Sequence, residues 1–123
     1  MSPAGRGVAN YLRDVIDAID RIAQYTQAQD FEAFGDSRIT QDAVARNFEV
    51  IGEALRQLSQ RHPDYAAAHP ELPITAAAGM RNVIAHGYWT VTLRTMWDTI
   101  RQQLPGLRTT VAGLLDQEGR AEP

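Results

Sequence analysis

Four stretches of this chain place apolar residues three and four positions apart, and no stretch sustains the every-other-residue alternation of a half-buried strand. Val8, Leu12, Val15, Ile19 and Ile22 mark the first, spanning about 8–27, and Val44, Phe48, Ile51, Leu55 and Leu58 mark the second, within about 39–61. Ala76, Met80, Val83 and Ile84 are the expected buried side of a third, shorter one over about 74–86. Leu93, Trp97, Ile100, Leu104, Leu107, Val111 and Leu114 carry the last, over about 92–116. Steps of three and four average to the helical turn, so each set lies along one face of a helix and must find an apolar partner. The prediction is an all-α chain, a four-helix up-down bundle.

The punctuation between these stretches refines that picture. Phe31, Phe34 and Gly35 suggest a short helical turn and a break, with Ser37 or Thr40 placed to cap the second long helix. Pro63, Pro70 and Pro73 bracket the alanine-rich piece 65–69 and leave room for one short turn, while Thr75 is a candidate cap for the third helix. The last seam crosses Pro105-Gly106 without losing phase, which predicts a kink near Leu104 rather than a chain reversal. Ala43, Val50 and Ala54 widen the apolar arc of the second helix beyond a single seam, so that helix needs a further neighbour, for which a subunit interface is one candidate. One helical domain over 8–117 is expected, between a flexible N-terminus at 1–7 and a flexible tail at 118–123.

At 123 residues there is material for one core and not for two ordinary domains. The absence of cysteine excludes disulfides, thiolate metal sites and cysteine nucleophiles. No apolar run is long enough to span a bilayer and the first residues lack the apolar stretch of a signal peptide, which points to the cytoplasm and away from membranes. All twelve basic residues are arginine and the net charge is −3, so any contact with nucleic acid has to come from a local arginine cluster rather than a broad basic surface. His62 and His69 are separated by a proline and joined by no carboxylate cluster; they read as surface residues, and neither a metal site nor a cofactor is expected.

Chemistry concentrates in residues 79–88, where Arg81, Asn82, His86 and Tyr88 fall within eight positions at the end of the third helix. Asn82 and His86, four apart, share a face, so the amide can orient the imidazole. Arg81 and Tyr88 are nearly two turns apart and align if helicity persists through Gly87. Cleavage of an RNA phosphodiester needs a group that moves protons near neutral pH and a cation for the charge that develops on phosphorus-bound oxygen, roles that histidine and arginine fill. One chain offers one such histidine here; two chains across a twofold axis would supply an imidazole as base and another as acid. Structural roles exist for the same residues. His86 could face the last helical carbonyls, Arg81 could pair with a glutamate on the second helix, and Tyr88 and Trp89 could be aromatics at the rim of the core. Glu53 and Asp42 are candidates for orienting arginines, and Asn47, at the border of the apolar stripe, for a buried polar contact.

The string Arg81-Asn82-Val83-Ile84-Ala85-His86-Gly87-Tyr88 has the R-x4-H-x-Y pattern of the HepT-like HEPN proteins, the ribonuclease toxins of bacterial toxin–antitoxin pairs, including the polar residue after the arginine. The segments Thr40-Gln41-Asp42-Ala43-Val44, Arg46-Asn47, Glu49-Val50-Ile51-Gly52-Glu53-Ala54 and Gly79-Met80-Arg81-Asn82 also resemble that family, and the likeness extends over about 11–115. The resemblance implies a HEPN-like bundle and a metal-independent endoribonuclease site at a homodimer interface, with Arg81 and His86 catalytic and Asn82 in support. It further implies an MntA-type minimal nucleotidyltransferase as antitoxin partner, which transfers AMP onto Tyr88 and silences the toxin. A non-catalytic accessory subunit that presents a substrate to such a nucleotidyltransferase is the alternative.

Overall fold

A computed structural model of the chain describes residues 6–86 and 89–121. Among these, every regular element is a helix: α1 (Val8–Thr26), α2 (Phe31–Asp36), α3 (Arg38–Arg61), α4 (Pro63–Ala68), α5 (Ile74–Ala85), α6 (Trp89–Gln102) and α7 (Leu104–Ala121). The all-α reading of the sequence therefore holds, with α2 and α4 as its short extra helices. Of the flexible N-terminus expected at 1–7, residues 1–5 lie outside the described residues. Arg6 is described, and its guanidinium pairs with Asp14 at 2.8 Å. At the other end α7 runs on through 118–121, where a tail was expected.

The core lies where α1 and α3 pack along each other. Leu12, Val15 and Ile22 of α1 and Val44, Leu55 and Leu58 of α3 are completely buried. Two further helices close it: α5 against α3, and α7 against α1. The wide apolar arc of α3 meets both α1 and α5 of the same chain: Ala54 is buried, and Ala43 and Val50 are partly covered. Across the α1/α7 seam, Arg108 grips Asp20 with two hydrogen bonds of 2.6 and 3.1 Å, which hold the Asp20 carboxyl below its ordinary range.

Caps explain the starts of α2 and α3. Asp30 accepts from the Ala33 amide at the start of α2, and Ser37 Oγ accepts from the Thr40 amide at the start of α3. Gln41, buried at the first turn of α3, donates to the carbonyls of Phe34 and Gly35, so the end of α2 is tied to the start of α3. Arg101 of α6 donates to the carbonyls of Thr26 and Gln29, tying α6 to the end of α1 and the turn that follows it. Pro63 opens α4, a position that needs no amide donor. Thr75 does not cap α5; the helix starts one residue earlier, after Pro73, whose carbonyl accepts from the Ala77 amide at 2.9 Å.

The last helix is divided at Gln103. Hydrogen bonds from the Gln103 amide to Thr99 and from the Leu107 amide to Gln103 continue the helical pattern on both sides, with Pro105, which lacks an amide hydrogen, in the first turn of α7. The apolar seam indeed passes through: Met96, Trp97, Ile100, Leu104, Val111 and Leu114 are all buried. Trp97 stacks on Phe34 with ring centroids 5.3 Å apart, anchoring α2 to α6. His62 is not a bare surface residue. Its Nε2 lies 2.9 Å from the Arg6 carbonyl, which can only accept, and its ring meets Tyr11 edge-on.

Candidate active site

Helix α5 carries the residues singled out by the sequence, and α3 seats them. Gly52 of α3 faces α5 so closely that a Cβ there would stand 3.4 Å from the Ala77 carbonyl and 3.7 Å from Arg81 Cβ. The hydrogen in place of a side chain lets the aliphatic stem of Arg81 lie over the α3 backbone. Gly52→Ala is expected to be tolerated within about 1 kcal/mol, since the contacts are ordinary ones and alanine favours the helix. Gly52→Leu should cost about 1–3 kcal/mol by wedging α5 off α3. Urea unfolding midpoints compare the two, and equal stability would show that the close approach does not matter.

From that seat the Arg81 guanidinium reaches Glu53 Oε2 at 3.4 Å. The glutamate pairing considered for Arg81 is therefore present, and its partner is Glu53, one of the two carboxylates considered for orienting arginines. The same carboxylate receives Arg56 twice, Nε to Oε2 at 3.1 Å and Nη2 to Oε1 at 2.6 Å, and Gln57 Nε2 at 2.9 Å. These bonds, Arg56 foremost, lower its pKa to about 2. Glu53 is thus ionised throughout the neutral range, so Arg81 has a charged partner there. Arg46, Glu49, Glu53, Arg56 and Arg81 line an open cleft of about 450 Å³. Asp42, the other carboxylate considered for orienting arginines, pairs with Arg38 at 3.4 Å. Asn47 makes the buried contact expected of it: its Oδ1 accepts from Arg21 at 2.7 Å and its Nδ2 donates to the Ala43 carbonyl at 2.8 Å.

His86 ends α5 as its C-cap and is exposed. Its Nδ1 lies 2.7 Å from the main-chain oxygen of Asn82. A carbonyl oxygen only accepts, so Nδ1 carries the hydrogen, and in the neutral ring Nε2 is the nitrogen able to take a proton. The residue that orients the imidazole is the expected one, but it acts through its backbone carbonyl rather than its side-chain amide. Tyr88 lies outside the described residues, as does the side chain of Trp89.

The buried side of α5 differs from expectation. Ile84 is its one buried residue, Ala77 and Met80 are partly covered, and Val83 is 36% exposed. An apolar cavity of about 260 Å³, lined by Phe48, Ile51, Ala77, Met80, Leu104 and Leu107 among others, runs along the same helix. Arg56 is the cleft residue that sequence reasoning passed over. Its spacing from Glu53, one helical turn, was visible, but the link from Glu53 to Arg81 spans 28 positions and no periodicity reveals it. Among the described residues no three His, Asp or Glu side chains converge as a metal cage would require.

Residues 15–113, most of the chain, match the family described as Ribonuclease HepT-like. The chain belongs to the HepT-like ribonuclease family. Among HepT-like relatives, a protein of Thermococcus cleftensis named "Probable ribonuclease HepT" is 36% identical over 103 residues, 84% of this chain and 91% of that one. A Methanocaldococcus jannaschii protein named "Putative RNase MJ1216" is 30% identical over 118 residues, 95% of each chain. Another, named "Putative RNase TTE0752", from Caldanaerobacter subterraneus subsp. tengcongensis, is 29% identical over 108 residues, 88% of this chain and 94% of the relative. No solved structure matches the chain. The all-helical HepT-like fold and the resemblance drawn from the R-x4-H-x-Y string thus agree with the family match, and no described helix is long and apolar enough to cross a membrane.

Proposed function

We propose that this chain is an endoribonuclease, the toxin of a toxin–antitoxin pair, acting as a homodimer through Arg81 and His86 and needing no metal ion. The observation that carries the reading is the 2.7 Å contact from His86 Nδ1 to the Asn82 carbonyl, which gives the ring a defined orientation and leaves proton transfer to Nε2. Arg81 lies on the preceding turn of the same helix. In the reaction, one imidazole accepts the proton of the ribose 2′-hydroxyl as that oxygen attacks phosphorus. The imidazolium of the other copy protonates the departing 5′-oxygen, and Arg81 offsets the charge on the phosphoryl oxygens.

The second copy is supported by α5 itself. Val83, 36% exposed, and the exposed small residues Ala78 and Ala85 give α5 an open, largely apolar strip beside Arg81 and His86, where a twofold partner would bring its own pair.

Neutralisation belongs to the same reading. An MntA-type nucleotidyltransferase would transfer AMP from ATP to the Tyr88 hydroxyl, with pyrophosphate leaving. The added phosphodiester would then occupy the place that Arg81 and His86 offer to RNA. Purified protein is expected to cut RNA with EDTA present. After co-expression with its neighbouring nucleotidyltransferase, intact-mass measurement should show whole AMP increments together with loss of cleavage, and Tyr88→Phe should abolish both changes. RNA left intact by unmodified protein would favour a non-catalytic accessory subunit, and an unmodified chain after co-expression would remove the silencing scheme.

A further inference from the structure

We infer that Arg56 is a second phosphate-binding arginine of the site, presented beside Arg81 by the carboxylate they share, with Glu53 as the positioning residue. The inference deepens the ribonuclease reading and rests on it for the identity of the ligand, an RNA phosphodiester.

The geometry is that of a two-armed cradle. Arg56 Nε and Arg81 Nη1 donate to the same oxygen, Glu53 Oε2, at 3.1 and 3.4 Å. Two nitrogens on one acceptor at those distances stand no more than about 6.5 Å apart, close enough to bracket a single phosphate group. Neither cation is exhausted by Glu53. A guanidinium has five N–H donors; Arg56 uses three, two on Glu53 and one on Gln60, and Arg81 uses one. Both side chains are 47% exposed and both line the cleft of about 450 Å³, so the remaining donors have room to meet an anion.

The charges decide the role of Glu53. Three arginines and two glutamates line the cleft, a small positive excess on a chain whose net charge is −3. Two guanidiniums left side by side would repel each other and splay; a carboxylate between them holds both in place at the expense of some attraction for the anion. Glu53 therefore trades strength of RNA binding for alignment of the cations. Removing its charge should tighten binding and slow the chemistry, a split that a purely structural glutamate would not produce.

The test uses the full-length chain and a fluorescein-labelled oligoribonucleotide. Binding is read by polarisation across a salt series in the His86→Ala background, and turnover is read with His86 intact. Arg56→Gln is expected to lower the magnitude of the salt slope by about 1 and kcat by about tenfold or more. Glu53→Gln is expected to tighten binding about threefold or more while kcat falls about tenfold. Thermal unfolding serves as the control, and where Arg56→Gln is unfolded, Arg56→Lys takes its place: it should keep the salt slope and still lose turnover, because the fork is gone. An unchanged slope and kcat in Arg56→Gln, or Glu53→Gln that weakens binding and turnover together, overturns the inference. Intact RNA with wild-type protein overturns the ribonuclease reading instead, and the salt slope then still reports whether Arg56 meets phosphate.

Discussion

His86→Ala is expected to lower RNA cleavage by about 10²–10⁴-fold while leaving the fold unchanged. The size follows from removing a proton-transfer group from a reaction that needs one at each end of the breaking bond. In a twofold site the substitution strikes both copies, so base and acid are lost together. The fold should persist because His86 is exposed at the end of α5 and bonds back to the Asn82 carbonyl of that same helix. Initial rates on a single-stranded RNA, compared at matched concentration, give the ratio, and thermal unfolding supplies the control. Cleavage within about threefold of wild type would remove His86 from the chemistry and leave Arg81 without its proposed counterpart.

The largest expected loss of stability lies in the short helix α2. Phe34 is completely buried, stacks on Trp97 of α6 at 5.3 Å, and has its own carbonyl held by Gln41 of α3 at 2.9 Å. It is therefore the residue through which a six-residue helix, too short to hold itself, joins two longer ones. Phe34→Ala should cost about 3–5 kcal/mol, the lost burial of the ring together with the cavity left against Trp97. For a chain of this size that corresponds to a fall in melting temperature on the order of 10–20 °C. A drop of less than about 3 °C would mean that α2 is an ornament on an independently stable bundle.

The sequence made the helices legible and left their surroundings hidden, for a physical reason. Periodicity reports which side of a helix is apolar, a local property, so α1 and α3 could be drawn from Val8 to Arg61 with boundaries close to those observed. It does not report what covers that side. The broad arc of α3 meets α1 and α5 of the same chain, whereas α5, read as having Ala76, Met80, Val83 and Ile84 inside, buries Ile84 alone. Proline told correctly that the last helix could not continue undisturbed, and the break at Gln103 sits just before the predicted point because Pro105 is accommodated in a new first turn.

The candidate site divides the same way. Arg81, Asn82 and His86 were legible as a cluster because they are neighbours along one helix. That Asn82 uses its carbonyl was not legible, since four-residue spacing brings side chain and backbone oxygen alike to the imidazole. The triad of Arg56, Glu53 and Arg81 depends on the approach of α5 to α3 at Gly52, a contact between segments whose mutual position no local pattern encodes.

Helix α5 rests on α3 at Gly52 and meets α6, while Ala78, Gly79, Asn82 and Val83 leave it an open face among the described residues. On the reading proposed above, a lone chain is then an unfinished enzyme, and catalytic power belongs to the encounter of two. Synthesis rate would set potency more steeply than in proportion to copy number. Any molecule that occupies the open face could disarm the chain without touching a single reactive atom.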